Sequence, residues 1–313
     1  MTDTQKEVFK TPVNKIRLFE HGAPGSQNLK LTRKYYTEDM PDGRVKHIVQ
    51  NITDPDIVPY MPDGIGNSTD RQRIPAVLII PGGAFRRLVY NFEGEDVAKW
   101  LNSMGIAAFV LECRLPSDEH DNAEDVPLID AMRAMRVIRG RAQEFGIDEA
   151  KIGVMGFSAG GFMAALLSTA YESDVYADYK YKDEYDKLSA RPDFAVCSYP
   201  VISIDDCIEA GKRYMSEEQV LERISDSKAK ILHKYNPDKL VRPDMPPVFI
   251  CETDDDRTTL SENSVGFYMA ARKAGVSAEL HIFRTGGHGY GCGDDFAQTG
   301  EWKVLFTKWI KSI

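Results

Sequence analysis

The pentapeptide Gly156-Phe157-Ser158-Ala159-Gly160 follows an apolar run, Lys151 to Met155, and precedes a helix-forming run, Phe162 to Leu167. That order of strand, sharp turn and helix is what a nucleophile elbow needs, because the turn presses backbones together and leaves the serine hydroxyl projecting at its tip. Ser158 is the candidate nucleophile. A serine hydroxyl reacts poorly at neutral pH unless a neutral imidazole takes its proton and a carboxylate fixes that imidazole's tautomer. Both partners should lie downstream, on loops after later strands. The strand-like run Ala278 to Phe283 leads into Gly286-Gly287-His288-Gly289-Tyr290-Gly291, where glycines on both sides allow a loop tight enough to bring the ring to the sheet's edge. His288 is the candidate base. His21, His47 and His120 lie upstream of Ser158, His233 sits in an insertion, and His281 falls inside a strand, where it reads as packed or solvated.

The acid is less sharply marked. Val248-Phe249-Ile250-Cys251 reads as a buried strand, and Glu252-Thr253-Asp254-Asp255-Asp256 follows at its carboxyl end, where an acid that orients the imidazole belongs. Four carboxylates compete within those five residues, and their spacing does not choose among them. Acyl transfer also needs donors for a tetrahedral oxyanion. The strand Ala76 to Ile80 ends in Pro81-Gly82-Gly83-Ala84-Phe85, so the backbone N–H groups of Gly83 and Ala84, with that of Ala159 at the start of the elbow helix, are the candidate hole.

These positions require a scaffold that ends several strands at one edge. Short apolar runs bounded by turn residues recur at Leu31 to Tyr36, His47 to Ile52, Ala76 to Ile80, Ala107 to Cys113, Ile152 to Met155, Phe194 to Tyr199, Val248 to Cys251 and Ala278 to Phe283. The central ones are nearly all apolar, as a parallel sheet covered on both faces demands. Helical patterns fall between them, at Glu93 to Met104, Val126 to Phe145, Ala159 to Tyr171, Glu262 to Ala274 and Glu301 to Ile313. Leu128, Met132, Met135 and Ile138 recur at helical spacing, so that face should pack on the sheet. The alternation predicts a doubly wound α/β domain. Residues 53 to 74, rich in Pro, Asp and Gly, read as a surface loop. Residues 171 to 193, with five tyrosines among Asp and Lys, and residues 204 to 240, with a helix around Glu217 to Ile224, read as an insertion that either forms a lid or packs locally.

Composition narrows the partner. A chain of 313 residues with 42% hydrophobic content can bury a substantial core. Its net charge of −9 argues against nucleic acid and against anionic membrane surfaces, which need a cationic footprint. A small-molecule substrate is expected. The five cysteines are scattered without a CxxC pair, which points to reduced thiols rather than a disulfide framework or a zinc site. The polar first ten residues lack the apolar stretch of a signal peptide, and a cytoplasmic location is the expectation.

Four stretches carry a family resemblance: PGGAFRRLVYNFEGEDVAKWLNSMGIAAFVLECRLP, DAMRAMRVIRGRAQEFGIDEAKIGVMGFSAGGFMAA, YNPDKLVRPDMPPVFICETDDD and ENSVGFYMAARKAGVSAELHIFRTGGHGYG. They resemble the acetylxylan-esterase-like, or BD-FAE-like, branch of the α/β hydrolases. The resemblance implies the α/β-hydrolase fold, a mostly parallel twisted sheet of about eight strands with helices on both faces and a small insertion or lid, in one domain over residues 1–313. It implies ester hydrolysis by a Ser-Asp-His triad without metal or cofactor, commonly on acetyl or feruloyl groups of sugars. It also bears on the acid. In this family and the related prolyl oligopeptidases the triad aspartate precedes a serine by eight residues and the histidine by about thirty-two, and Asp256 stands at those distances from Ser264 and His288. Asp256 is therefore preferred, with Asp255 second.

Three departures stand out: PGGAF for PGGGY, Phe92-Glu93-Gly94-Glu95 for HEGE, and CETDDD for HTADD. The first sets a methyl group at Ala84 beside the presumed hole. The expected activity is a serine carboxylesterase removing a short acyl group, with acetyl foremost, from a carbohydrate or similar alcohol. A feruloyl esterase or small peptidase on the same fold is the second reading, and a transacylase or non-catalytic binding protein the third.

Overall fold

The computed structural model of the chain describes residue 9 and residues 12–64, 73–213, 215–216, 218–220, 226–293 and 298–313. The helix expected around Glu217 to Ile224 lies largely outside them. Eleven strands are described: β1 (Ile16–Arg17), β2 (Lys34–Asp39), β3 (Val45–Gln50), β4 (Asp56–Tyr60), β5 (Ile74–Ile80), β6 (Leu88–Val89), β7 (Ala107–Glu112), β8 (Ile147–Phe157), β9 (Ala195–Ser198), β10 (Val248–Thr253) and β11 (Ala278–Phe283). Eight of them form one sheet in the order β1-β4-β7-β5-β8-β9-β10-β11, parallel from β7 to β11 and closed at the other end by the antiparallel β4 and β1.

Two expectations need correction. Asp56–Tyr60, read as part of a surface loop, is a strand of the main sheet, pairing antiparallel with β7 so that Pro59 faces Phe109. A proline is tolerated there because β1 pairs only with Asp56 and Ile57, leaving the outer edge of β4 open at Pro59. The strand expected at Leu31 to Tyr36 begins later, at Lys34, and with β3 and β6 it makes a separate three-stranded antiparallel sheet.

Among the described residues the α-helices include α1 (Asp96–Ser103), α2 (Val126–Gly140), α3 (Ala142–Phe145), α4 (Ala159–Ala170), α5 (Ile204–Lys212), α6 (Asp226–Lys234), α7 (Ser261–Lys273) and α8 (Glu301–Trp309). The chain crosses from β5 to β7 in one direction along the sheet and from β7 to β8 and on to β11 in the other. Right-handed crossovers then put α1 on one face and α2, α4 and α7 on the opposite one. Trp100 of α1 meets Trp302 and Phe306 of α8, so α8 shares the α1 face. Leu128, Met132, Met135 and Ile138 are fully buried, as the spacing predicts. The central strands β5 and β7 bury nearly every side chain between these two layers.

The 171–193 segment is bound beside α2. Arg133 donates to Asp183 and Asp186, Tyr176 donates to Asp186, and Tyr179 donates to the Gly22 carbonyl while its ring packs on Phe19. The five cysteines are buried. Among the described residues no helix is long and apolar enough to cross a membrane.

Candidate active site

The elbow owes its shape to close backbone approach. A Cβ on Gly156 would fall 1.9 Å from the Gly160 carbonyl oxygen, and one on Gly160 would fall 1.9 Å from that of Ile80. Only glycine lets α4 start this close to β8 and β5. Ser158, wedged between them, takes φ 53° and ψ −117°, a conformation costing on the order of 1–3 kcal/mol. Its N–H donates to the Ser198 carbonyl (3.0 Å), and its own carbonyl accepts from Phe162 (3.0 Å). The strain is thus held by neighbouring strand and helix.

The hydroxyl that results is 2.8 Å from His288 Nε2, and His288 Nδ1 is 2.6 Å from Asp256 Oδ2. The three residues come from the ends of β8, β10 and β11, which the parallel sheet brings to one rim. Asp256 is buried, which alone would raise its pKa. Hydrogen bonds from His288 and from the Thr258 and Thr259 N–H groups outweigh burial and hold its carboxyl below the ordinary range. Asp255 faces elsewhere: its Oδ1 accepts from the N–H groups of Gly286 (2.9 Å) and Gly287 (2.8 Å), so it pins the loop that carries His288. His281 pairs with Glu279 on β11, and His120 is buried against Ser26.

Gly83 and Ala159 line one cavity of about 20 Å³, whose lining does not include Ser158 or His288. Ala84 is exposed beside it, and both Ala84 and Phe85 have left-handed φ values, 57° and 61°. The N–H groups of Gly83, Ala84 and Ala159 donate to no protein atom among the described residues. Free donors next to an activated hydroxyl are the geometry of acyl transfer.

The BD-FAE family profile matches residues 63–270. The chain belongs to the BD-FAE family. The acetylxylan esterase of Xylanibacter ruminicola is 31% identical over 240 residues, covering 76% of this chain but only 45% of that protein. This BD-FAE chain thus spans under half the length of that relative. The crystal structure of an acetyl ester-xyloside bifunctional hydrolase from Caldicellulosiruptor lactoaceticus is 34% identical, covers 95% of both chains and superposes with a TM-score of 0.71. The carboxylesterase Cest-2923 of Lactobacillus plantarum, 21% identical with a TM-score of 0.66 over 91% of this chain and 98% of its own, shares the fold. The fold is that of the α/β hydrolases.

Around the predicted residues this BD-FAE site holds others that sequence reasoning passed over or, as with Glu252, weighed only as the acid. Thr259 donates its hydroxyl to Asp256 Oδ2 (2.9 Å) and lies 3.3 Å from His288 Nδ1. Its signal was its place three residues after the preferred acid. Glu252, fully buried on β10, accepts from Thr253 N–H and the Ser264 hydroxyl. Burial first, and the neighbouring Asp256 charge second, push its pKa well above the usual carboxylate range. Glu93 and Tyr199 are also buried beside the histidine. Glu93 showed in the sequence only as part of a family departure, and Tyr199 only as the last apolar residue of a strand.

Proposed function

We propose that the protein is a serine carboxylesterase that removes a short acyl group, foremost acetyl, from a carbohydrate or similar alcohol. The observation that supports this most is the continuous chain of hydrogen bonds from Ser158 through His288 to Asp256, at 2.8 and 2.6 Å. In this reading His288 Nε2 takes the Ser158 proton as the oxygen attacks the ester carbonyl, and the N–H groups of Gly83, Ala84 and Ala159 receive the oxyanion. His288 then gives that proton to the leaving alcohol, and the acyl-enzyme forms. Water deprotonated by the same nitrogen attacks it, the carboxylic acid leaves, and Ser158 recovers its proton. Asp256, held ionised by the donors around it, balances the imidazolium.

By their names, two of the relatives given above are an acetylxylan esterase and an acetyl ester-xyloside bifunctional hydrolase. Hydrolysis of p-nitrophenyl acetate and of acetylated xylo-oligosaccharides, measured beside methyl ferulate, tests the acyl preference. Ser158→Ala should lower p-nitrophenyl acetate turnover by about 10⁴-fold or more, and a wild-type rate in that variant would remove Ser158 from the chemistry.

A further inference from the structure

Glu93 is a carboxylate that the acyl-transfer chemistry does not use, yet it is buried to 5% exposure at the centre of the site. It reaches that position from a five-residue π-helical turn, Asn91–Glu95, that runs directly into α1. The wider turn closes through Glu95 N–H to the Tyr90 carbonyl (2.8 Å). Such turns are rare and recur at functional sites. Among the described residues no lysine or arginine pairs with Glu93. Its two oxygens instead accept from two parts of the site: Oε2 from the Gly82 N–H (2.8 Å) and Oε1 from the Tyr199 hydroxyl (3.0 Å).

Tyr199 extends the connection. Its oxygen accepts from the Gly291 N–H (3.0 Å), in the glycine loop that carries His288. Its ring stands edge-on to the imidazole, centroids 5.0 Å apart. Tyr199 is fully buried and has φ 37°, so its backbone is strained where the ring meets His288. Gly82 in turn has no space for a side chain: a Cβ there would lie 2.7 Å from Glu93 Oε2 and 2.9 Å from Ser158 Cβ. The residue before the oxyanion donor Gly83 and the loop of the catalytic base are thereby tied to one buried carboxylate.

We propose that Glu93 is a positioning residue which, through Tyr199, locks the oxyanion turn at Gly82-Gly83 and the His288 loop into one fixed geometry. The proposal rests on the esterase reading of the site. Backbone donors help only when aimed at the oxyanion before it forms. Burial pushes Glu93 above the usual carboxylate range while the His288 charge pulls it down. Lys46 and Tyr199 are the other titratable groups near it.

Glu93→Ala removes both acceptor oxygens, so the ties to Gly82 and to Tyr199 are both lost. Tyr199→Phe keeps the ring against His288 and removes the bridge to Gly291. With p-nitrophenyl acetate, each variant is expected to lower kcat by about 10- to 100-fold while KM stays within about threefold. The double variant should be no more than about twofold slower than the slower single one, because both break one connection. Thermal melting reports whether each variant is folded. A kcat within twofold of wild type in both single variants would overturn the lock, whatever their melting temperatures. So would a multiplicative loss in the double variant, or a loss confined to KM. Absence of turnover in the wild type, with no fluorophosphonate labelling of Ser158, would instead overturn the esterase reading and the lock with it.

Discussion

Glu112 and Asp130 are buried against cations, whereas Glu93, Glu252 and Asp256 are buried against neutral donors and one histidine. Glu112 receives Lys15 Nζ (2.6 Å) and Arg33 (2.7 Å), and Asp130 receives Arg114 (2.7 Å), whose guanidinium also donates to the Pro24 carbonyl and Ser26. These pairs clasp residues 15–33 onto the outer strands and α2. At the rim, by contrast, Asp256 is held by Thr258, Thr259 and His288, Glu93 by Gly82 and Tyr199, and Glu252 by Thr253 and Ser264. A permanent guanidinium beside Asp256 would neutralise the charge that the forming imidazolium requires. Neutral donors orient the carboxylate without doing so. The difference separates carboxylates that hold the chain from carboxylates that wait for a proton to move.

The sharpest way to break that division is at the acid itself. Asp256→Asn keeps the shape and the threonine contacts but removes the charge and favours the wrong imidazole tautomer, and kcat should fall by about 10⁴-fold. Asp255→Asn, which touches only the loop N–H groups of Gly286 and Gly287, should cost about 10-fold. Steady-state rates on p-nitrophenyl acetate decide this, and the reverse ranking would make Asp255 the acid. At the clasp the expectation inverts. Asp130→Ala strands the fully buried Arg114, which should cost about 3–5 kcal/mol of stability. In urea unfolding the midpoint should drop, while kcat of the folded fraction stays within about twofold. A clasp variant that is stable but slow would show that the two sets are not distinct.

The two regions also differ in how well the sequence announces them. Ser158 and His288 could be found because each sits among glycines that a sharp turn requires, and local chemistry leaves a local signature. Asp256 was one of four acids until a family spacing separated it from Asp255, since backbone N–H and threonine contacts leave no pattern of their own. Glu93 and Tyr199 meet only through the fold, 106 residues apart, and nothing local in either segment points to the other. Strand β4 of the main sheet escapes sequence reading for a related reason. Asp56–Tyr60 contains a proline and an aspartate that argue against a strand, and their place becomes intelligible only when β1 is seen to stop at two residues and Arg33 to meet Asp56. The parallel core, in which propensity, burial and period agree, was legible throughout.

The smallest effect tests whether a rim carboxylate really carries a proton. Glu252 is raised above the ordinary carboxylate range by burial and by the Asp256 charge. An acid raised in the folded state contributes stability that is full below the unfolded pKa, about 4.3 for glutamate, and is lost as pH rises toward its folded value. Asp256 runs the other way: its lowered pKa contributes stability above the ordinary range that is lost as pH falls. Glu252→Gln is neutral at every pH, so the variant escapes the loss on the alkaline side while the Asp256 contribution persists in both proteins. Its melting temperature should match wild type near pH 4.5 and exceed it by a few degrees near pH 8. If the variant melts lower at pH 8, Glu252 is ionised there and stabilised by its neighbours, and the rim would hold its carboxylates as the clasp does.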